Sequence, residues 1–295
     1  MGGSFCAGVD VGGTRLRLAV QDIASGDRPA PLEIAVPRSV ESMVDAIEIL
    51  TREATRGKGV DTIAVGLPGQ VLDSGCVWVP NLRFLDGVPL ANLVTQRLGA
   101  GCRLLNDSQA TLLAEVAEGA AQGCSDVVLV AVGTGIGGAY QVDGHLVQGA
   151  NGCAGSFGWL PFSGSARDAD HGQWEQTGSG LSLERRATPW GSTGALLKAA
   201  RAGDAAARTV VTEYGAALGE GIAALASILD PEVVVFAGGL VSAFDLLRDS
   251  MTEGVAVHGS PAGSRKPLVP AALGSAAGVI GALHWACTPE EAQRR

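Results

Sequence analysis

Aromatic residues make up only 4% of this 295-residue chain, and charged residues only 17%. Positive charge is the scarcer kind. Lys and Arg number 21 against 30 Asp and Glu, a formal net charge of -9. A nucleic-acid partner needs basic patches against its phosphates, so this charge balance excludes one from expectation. It does not exclude a nucleotide, because Mg²⁺ and backbone N–H groups can carry phosphate charge locally. No uninterrupted apolar run reaches the roughly 20 residues of a bilayer span, so no membrane partner is expected. The N-terminus shows neither a basic n-region nor a long apolar h-region, so no secretory leader is expected. The cysteines Cys6, Cys76, Cys102, Cys124, Cys153 and Cys287 form no Cys-x-Cys or Cys-x-x-Cys pair. They read as small buried apolar residues of a reducing compartment, which points to a cytoplasmic protein.

Glycine, by contrast, is abundant at 43 residues, and hydrophobic residues reach 46%. The length suits one large domain or two ordinary ones with a substantial core. Strands are expected at 5–11, 16–21, 32–36, 61–67 and 102–105. Helices are expected from Ser39 as N-cap through Leu50, around 89–98, and from about Ser108 to Glu118. The second half repeats the alternation: strands at 126–132 and 136–142, then an Asp143-Gly144 turn into His145. A polar loop follows at 163–175 and a long helix at 204–229. The chain continues with a strand at 233–236 and helices near 243–255 and 275–285. Alternating strands and helices indicate an α/β protein with largely parallel sheets. Both halves open on two strands joined by a Gly-rich turn, which suggests two related α/β lobes with a cleft between them.

The first of those turns, Gly8-Val9-Asp10-Val11-Gly12-Gly13-Thr14, reads as a tight hairpin. It can be an ordinary hairpin. It can also hold phosphate, with glycine N–H groups close to an anion and an acid beside them for hydrated Mg²⁺. The second, Gly133-Thr134-Gly135-Ile136-Gly137-Gly138, matches G-x-G-x-x-G formally. The dinucleotide context fails, because another strand follows where a helix should. A second phosphate-facing hairpin fits better. Asn106-Asp107 lies where a strand ends and a helix begins, the edge that borders ligand crevices in open α/β sheets. Asp107 there is either a general base or the helix N-cap. Ala237-Gly238-Gly239 ends a very apolar strand, where glycines admit a ring or ribose against backbone.

In their order and spacing these motifs resemble the ROK family of sugar kinases (repressor, open reading frame, kinase). Gly66-Leu67-Pro68-Gly69, Pro80-Asn81-Leu82, Gly149–Gly155 and the closing 272–282 segment extend the resemblance over nearly the whole chain. The resemblance implies an actin-like (ribonuclease-H-like) ATPase fold, α/β, with two lobes and an interlobe cleft. It implies an N-terminal lobe of residues 1–117 plus 276–295 and a C-terminal lobe of 118–275. It implies ATP and Mg²⁺ as cofactors. Asp107 becomes the base that activates a sugar hydroxyl, and Asn106, Asn81 and Gly69 become sugar contacts. Asp10 becomes the holder of Mg²⁺ through water. Gly12, Gly13, Thr14, Gly133, Thr134 and Gly135 face the phosphates, and Gly238 and Gly239 lie by the nucleoside. Glu175 resembles the glutamate that touches sugar after the family's zinc loop.

The chain departs from the family at one place. Where the family has Glu-x-Gly-His, this chain has Ser156-Phe157-Gly158-Trp159, and the following loop contains no cysteine. A zinc site needs about four N, S or O ligands. Asp168, Asp170 and His171 alone read as a solvated loop, so no zinc site is expected. Ser156 and Trp159 then stand in the altered sugar pocket, with Trp159 either touching substrate or packing the space the zinc leaves.

The implied activity is ATP-dependent phosphorylation of a primary, C6-type hydroxyl on a hexose or hexose-like substrate. An amino sugar such as kanosamine is a candidate, since family members in antibiotic pathways act on such compounds. The alternatives are a glucokinase proper, a C7-cyclitol kinase and a non-catalytic sugar sensor. A transcriptional repressor of the same family would carry a helix-turn-helix segment before the first phosphate motif, which here starts at Gly8. The resemblance leaves a homodimer open.

Overall fold

The Gly-Gly hairpin forms as the sequence demands. β1 (Phe5–Val11) turns through Gly12-Gly13-Thr14 into antiparallel β2 (Arg15–Asp22), which sets Asp10 opposite Arg17. The computed structural model describes residues 5–72, 74–161 and 172–289. The chain divides into two units. The first is Met1–Gly119, Gln148–Cys153 and Leu273–Arg295; the second is Ala120–Val147 and Ala154–Ala272.

In the first unit β3 (Leu32–Ala35) follows, then α1 (Val40–Ala54), whose N-cap Ser39 accepts the Ser42 N–H in a reciprocal capping box. Next come β4 (Thr62–Leu67), β5 (Gln70–Leu72), β6 (Gly75–Trp78), α2 (Leu90–Leu98), β7 (Gly101–Asn106) and α3 (Asp107–Glu118). The sheet order is β3-β2-β1-β4-β7, with β1, β4 and β7 parallel and β2 and β3 antiparallel. The sheet is therefore mixed, not largely parallel. The links from β1 to β2 and from β2 to β3 are too short for a crossover.

The second unit holds β8 (Val127–Val132), β9 (Ile136–Val142) and β10 (His145–Leu146). Three short helices follow, α4 (Gln173–Gly178), α5 (Gly180–Arg186) and α6 (Thr193–Arg201). Then come α7 (Ala205–Leu229), β11 (Val233–Ala237), α8 (Phe244–His258) and β12 (Leu268–Pro270). Its sheet is again five-stranded and mixed, in the order β10-β9-β8-β11-β12. The expected polar loop through 175 is corrected at its end: α4 begins at Gln173, because Trp174 is buried completely and donates its indole N–H to Ala217 O at 3.0 Å. A fully buried Trp with a satisfied donor anchors a turn of helix whose sequence is otherwise polar.

The closing helix α9 (Ala277–Cys287) returns to the first unit and lies on β1 and α3. The approach is backbone to backbone. A Cβ on Gly8 would sit 2.5 Å from Leu283 Cα, and one on Gly281 would sit 2.6 Å from the Ala110 carbonyl carbon. Its last turn is held by Thr62, whose Oγ1 donates to Ala286 O at 2.7 Å. Arg103 Nη2 donates to Ala286 O and Thr288 O, each at 3.1 Å. A cation at a helix C-terminus satisfies its free carbonyls and opposes its dipole.

One expectation is overturned here. Cys6 and Cys287 are not single: they form a disulfide, with Cα atoms 5.5 Å apart across a sequence separation of 281 residues. The packing of α9 on β1 brings the two ends of the chain together, and no local spacing announces that. Cys76, Cys102, Cys124 and Cys153 are free. Among the described residues, no helix is long and apolar enough to cross a membrane. Titrated with a thiol reagent after unfolding without reductant, the protein should show four thiols, and six once reduced. Six before reduction would contradict the bridge. Reduction should also cost roughly 2–4 kcal/mol of stability, seen as a lower unfolding midpoint.

Candidate active site

Three parallel strands end together in the first unit. The register places Asp10 beside Gly66 across β1 and β4, and Leu67 beside Asn106 across β4 and β7. The carboxyl ends of adjacent parallel strands thus hold Asp10, the Leu67–Gly69 loop and Asn106-Asp107 along one edge. Gly69 turns with φ +100°, and a Cβ there would lie 2.8 Å from Pro80 Cδ, so its loop rests on the segment leading to Asn81. Gly13 faces Asn81 in turn; a Cβ on it would be 3.8 Å from the Asn81 Cβ. Gly12 closes the hairpin, donating its N–H to Arg15 O at 2.9 Å, with Gly13 and Thr14 exposed.

Which residue caps α3 is resolved by the hydrogen bonds. Asn106 is the N-cap: its Oδ1 accepts the Gln109 N–H at 2.7 Å, and Gln109 Oε1 accepts the Asn106 N–H at 2.9 Å. Asp107 does not cap the helix. Its Oδ1 accepts from its neighbour Ser108, at 2.7 Å from the N–H and 3.3 Å from Oγ. Asp107 reaches solvent, yet the protein packed around its carboxyl desolvates it and pushes its pKa up. A water-reachable carboxyl in poorly solvating surroundings is suited to taking a proton from a bound hydroxyl.

Asp10 is perturbed too. Burial, foremost, raises its pKa to about 6, the Arg17 guanidinium opposes the rise, and the charge of Asp107 adds to it. Repulsion between the two carboxylates places Asp10 and Asp107 in one electrostatic site. Two residues escape a sequence reading. Arg17 faces Asp10 across the hairpin while its Nε pairs with Glu33 Oε2 at 2.7 Å and its Nη1 donates to Ser275 O at 2.5 Å. Gly278, on the first turn of α9, would carry a Cβ 2.6 Å from the Asp10 carboxyl. The strand register is the signal that could have found Arg17; nothing local points to Gly278.

In the second unit, the β8–β9 turn is closed by the Gly133 N–H on Gly135 O at 2.9 Å and by the Gly180 N–H on Gly133 O at 2.8 Å. Thr134 is exposed. Glu175, on α4, lies against both Gly135 and Gly158; a Cβ on Gly158 would be 2.9 Å from Glu175 Oε2. Gly158 is the centre of a 3-10 turn, Phe157–Trp159, with Ser156 at its N-cap. Phe157 is buried, whereas Trp159 is 56% exposed. Gly238 has φ +88° and backs onto Val132, 2.7 Å from its N to a built Cβ, which explains that glycine by packing. Gly239 faces open space. Asp168, Asp170 and His171 lie outside the described residues. Among the described residues no cluster of His, Cys, Asp and Glu is arranged for a metal ion.

The carboxyl titration tests this electrostatic arrangement without any substrate. Followed by ¹³C NMR, the Asp10 carboxyl should titrate near pH 6. Asp107→Asn should move the midpoint down by removing a like charge, and Arg17→Met should move it up by removing an opposite one. A midpoint near 4 in the wild type would contradict the site.

The chain is similar to known proteins over nearly its whole length. The chain is 31% identical over 291 residues to the bifunctional enzyme NanE/NanK of Brucella melitensis, covering 95% of this chain and 53% of that one, so it spans about half the length of that relative. It is 29% identical over 312 residues to a glucokinase of Streptomyces coelicolor, covering 96% of this chain and 98% of the relative. The solved ROK family glucokinase from Streptomyces griseus, in complex with glucose and AMPPNP, superposes with TM-score 0.74 at 29% identity, over 96% of this chain and 99% of that one. The fold is thus the actin-like ATPase fold of those kinases, an α/β protein with two mixed five-stranded sheets. The ROK family model matches residues 6–288, and the chain belongs to the ROK family.

Proposed function

We propose that this chain is an ATP-dependent kinase that transfers the γ-phosphoryl group to a primary, C6-type hydroxyl of a hexose or hexose-like substrate. The observation that carries the reading is Asp107: freed from capping by Asn106, open to solvent, and raised in pKa beside a second perturbed carboxyl. Asp107 takes the hydroxyl proton as the oxygen attacks the phosphoryl group in line. Positioning and charge neutralisation provide most of the remaining acceleration. Asn106, Asn81 and Gly69 contact sugar hydroxyls, with Glu175, Ser156 and Trp159 completing the sugar side. Gly12, Gly13, Thr14, Gly133, Thr134 and Gly135 offer N–H groups and hydroxyls to the phosphates, and Gly238 and Gly239 receive the nucleoside.

A water-held Mg²⁺ needs one or two carboxylates plus the substrate's own phosphates. Asp10 fits that role, since its burial against Gly278 leaves a carboxylate with a strong demand for positive charge. When bound, Mg²⁺ would neutralise charge developing on the phosphoryl oxygens. Support for a sugar acceptor comes from the likeness to a glucokinase with glucose and AMPPNP. Support for an acceptor other than plain glucose comes from Ser156 and the exposed Trp159, which stand where the family offers a carboxylate and an imidazole. Removing two polar partners changes which hydroxyl pattern is tolerated, because an unmatched buried polar group is costly.

ADP release from Mg·ATP against a panel of hexoses, amino-hexoses and cyclitols tests the activity. A sugar-dependent rate on at least one member is the expected result, and none would refute it. Asp107→Asn should lower kcat by about 10²–10⁴-fold with the substrate Kd little changed; near-native turnover at saturation would remove Asp107 from its role. On the wild type, kcat/KM for an amino-hexose or cyclitol should exceed that for glucose. Glucose outperforming every alternative would make Ser156 and Trp159 replacements without functional meaning.

A further inference from the structure

Glu115 is a charged residue with no solvent exposure. It sits on α3 about two turns beyond Asp107. Its Oε1 accepts the Leu273 N–H at 2.9 Å. Its Oε2 lies so near Gly119 that a Cβ there would collide with it, and Gly119 closes α3 by donating its N–H to the Glu115 backbone O at 3.1 Å. These two partners hold special places in the chain. Gly119 is the last residue of the first unit before the chain first leaves it, and Leu273 is the residue at which the chain finally returns.

A carboxylate withdrawn from water is costly unless donors replace its hydration. Glu115 lies on the helix that begins with Asp107, and one of its donors is the backbone of the returning segment. The same helix is pressed onto α9 at Gly281, so a shift at its far end cannot be absorbed by sliding along a soft side-chain layer.

We propose that Glu115 is a positioning residue. It clasps the first departure and the final return of the chain and ties both to the helix that presents Asp107. The proposal rests on the kinase reading for its catalytic consequence: motions of the connections between the units are transmitted to the base. Coupling of this kind keeps phosphoryl transfer dependent on the sugar, since a base presented without it serves water as readily as a hydroxyl.

Two variants break the clasp by different means. Glu115→Ala removes the carboxylate, and Gly119→Ala keeps it but displaces it. Ile47→Ala, a core truncation on α1, controls for loss of stability alone. The first readout is the ratio of sugar-independent ATP hydrolysis to sugar phosphorylation, using the sugar from the panel that the wild type phosphorylates best. This ratio does not depend on the fraction of protein folded. Both clasp variants should raise it about tenfold, and Ile47→Ala should leave it unchanged. The second readout is amide hydrogen exchange, which needs no activity. In Gly119→Ala, protection should fall about tenfold at Leu273 and in the first turn of α3 together, while α1 keeps its protection. A wild type that phosphorylates no sugar would refute the kinase reading and leave the exchange arm to judge the clasp. An unchanged ratio in an active enzyme, or exchange that rises at Leu273 with the first turn of α3 unaffected, would overturn the clasp itself.

Discussion

The contact on which the candidate site depends is backbone against backbone. α9 approaches β1 at Gly8 and α3 at Gly281 more closely than any side chain would allow. That approach puts Gly278 against the Asp10 carboxyl and fixes the start of α3, where Asn106 and Asp107 lie, relative to β1. Protein interiors pack densely enough that a single added carbon at such a contact has to move a whole element. The disulfide from Cys6 to Cys287 and the cap from Arg103 and Thr62 hold the far end of the same helix. Two perturbed carboxylates are thus positioned by a helix that contributes no functional side chain of its own to them.

Electrostatics follows from that packing. Asp10 is pushed up chiefly because burial strips its hydration, and the closeness of Asp107 adds to the effect. Two carboxylates near each other in weakly solvating surroundings create a demand for positive charge. Arg17 meets part of it across the hairpin, while Glu33 shares that arginine and so limits its effect. The remainder suits a divalent cation arriving with a polyphosphate.

Much of this was legible in the residues. The β1–β2 hairpin follows from Gly12-Gly13, the start of α1 from Ser39, and the β9–β10 turn from Asp143-Gly144, whose φ values of +54° and +77° require such residues. The strand ends that carry Asp10 and Asn106 could be placed because apolar runs stop there. What escaped has physical reasons. β5 and β6 are too short to show a period, and Gly75, at φ +141°, reads in sequence as one more turn glycine. α4 and α5 are short and mostly polar, α6 is short, and their places are set by buried Trp174, Leu183 and Leu196. The pairing of Cys6 with Cys287 and the reach of Glu115 to Leu273 join residues far apart in the chain, where spacing carries no information. Whether Asp107 is a base or the helix N-cap was open in the sequence; the reciprocal bonds between Asn106 and Gln109 show that Asn106 caps the helix.

The proposed reaction delivers phosphate to a primary hydroxyl of a sugar. Its most direct test is the product itself: Mg·ATP, the wild-type protein and a uniformly ¹³C-labelled hexose or amino-hexose, followed by ¹³C and ³¹P NMR. A phosphomonoester whose phosphorus couples to the C6 carbon should form in step with ADP. Consumption of ATP with no sugar phosphate, or phosphate attached at another carbon, would contradict it.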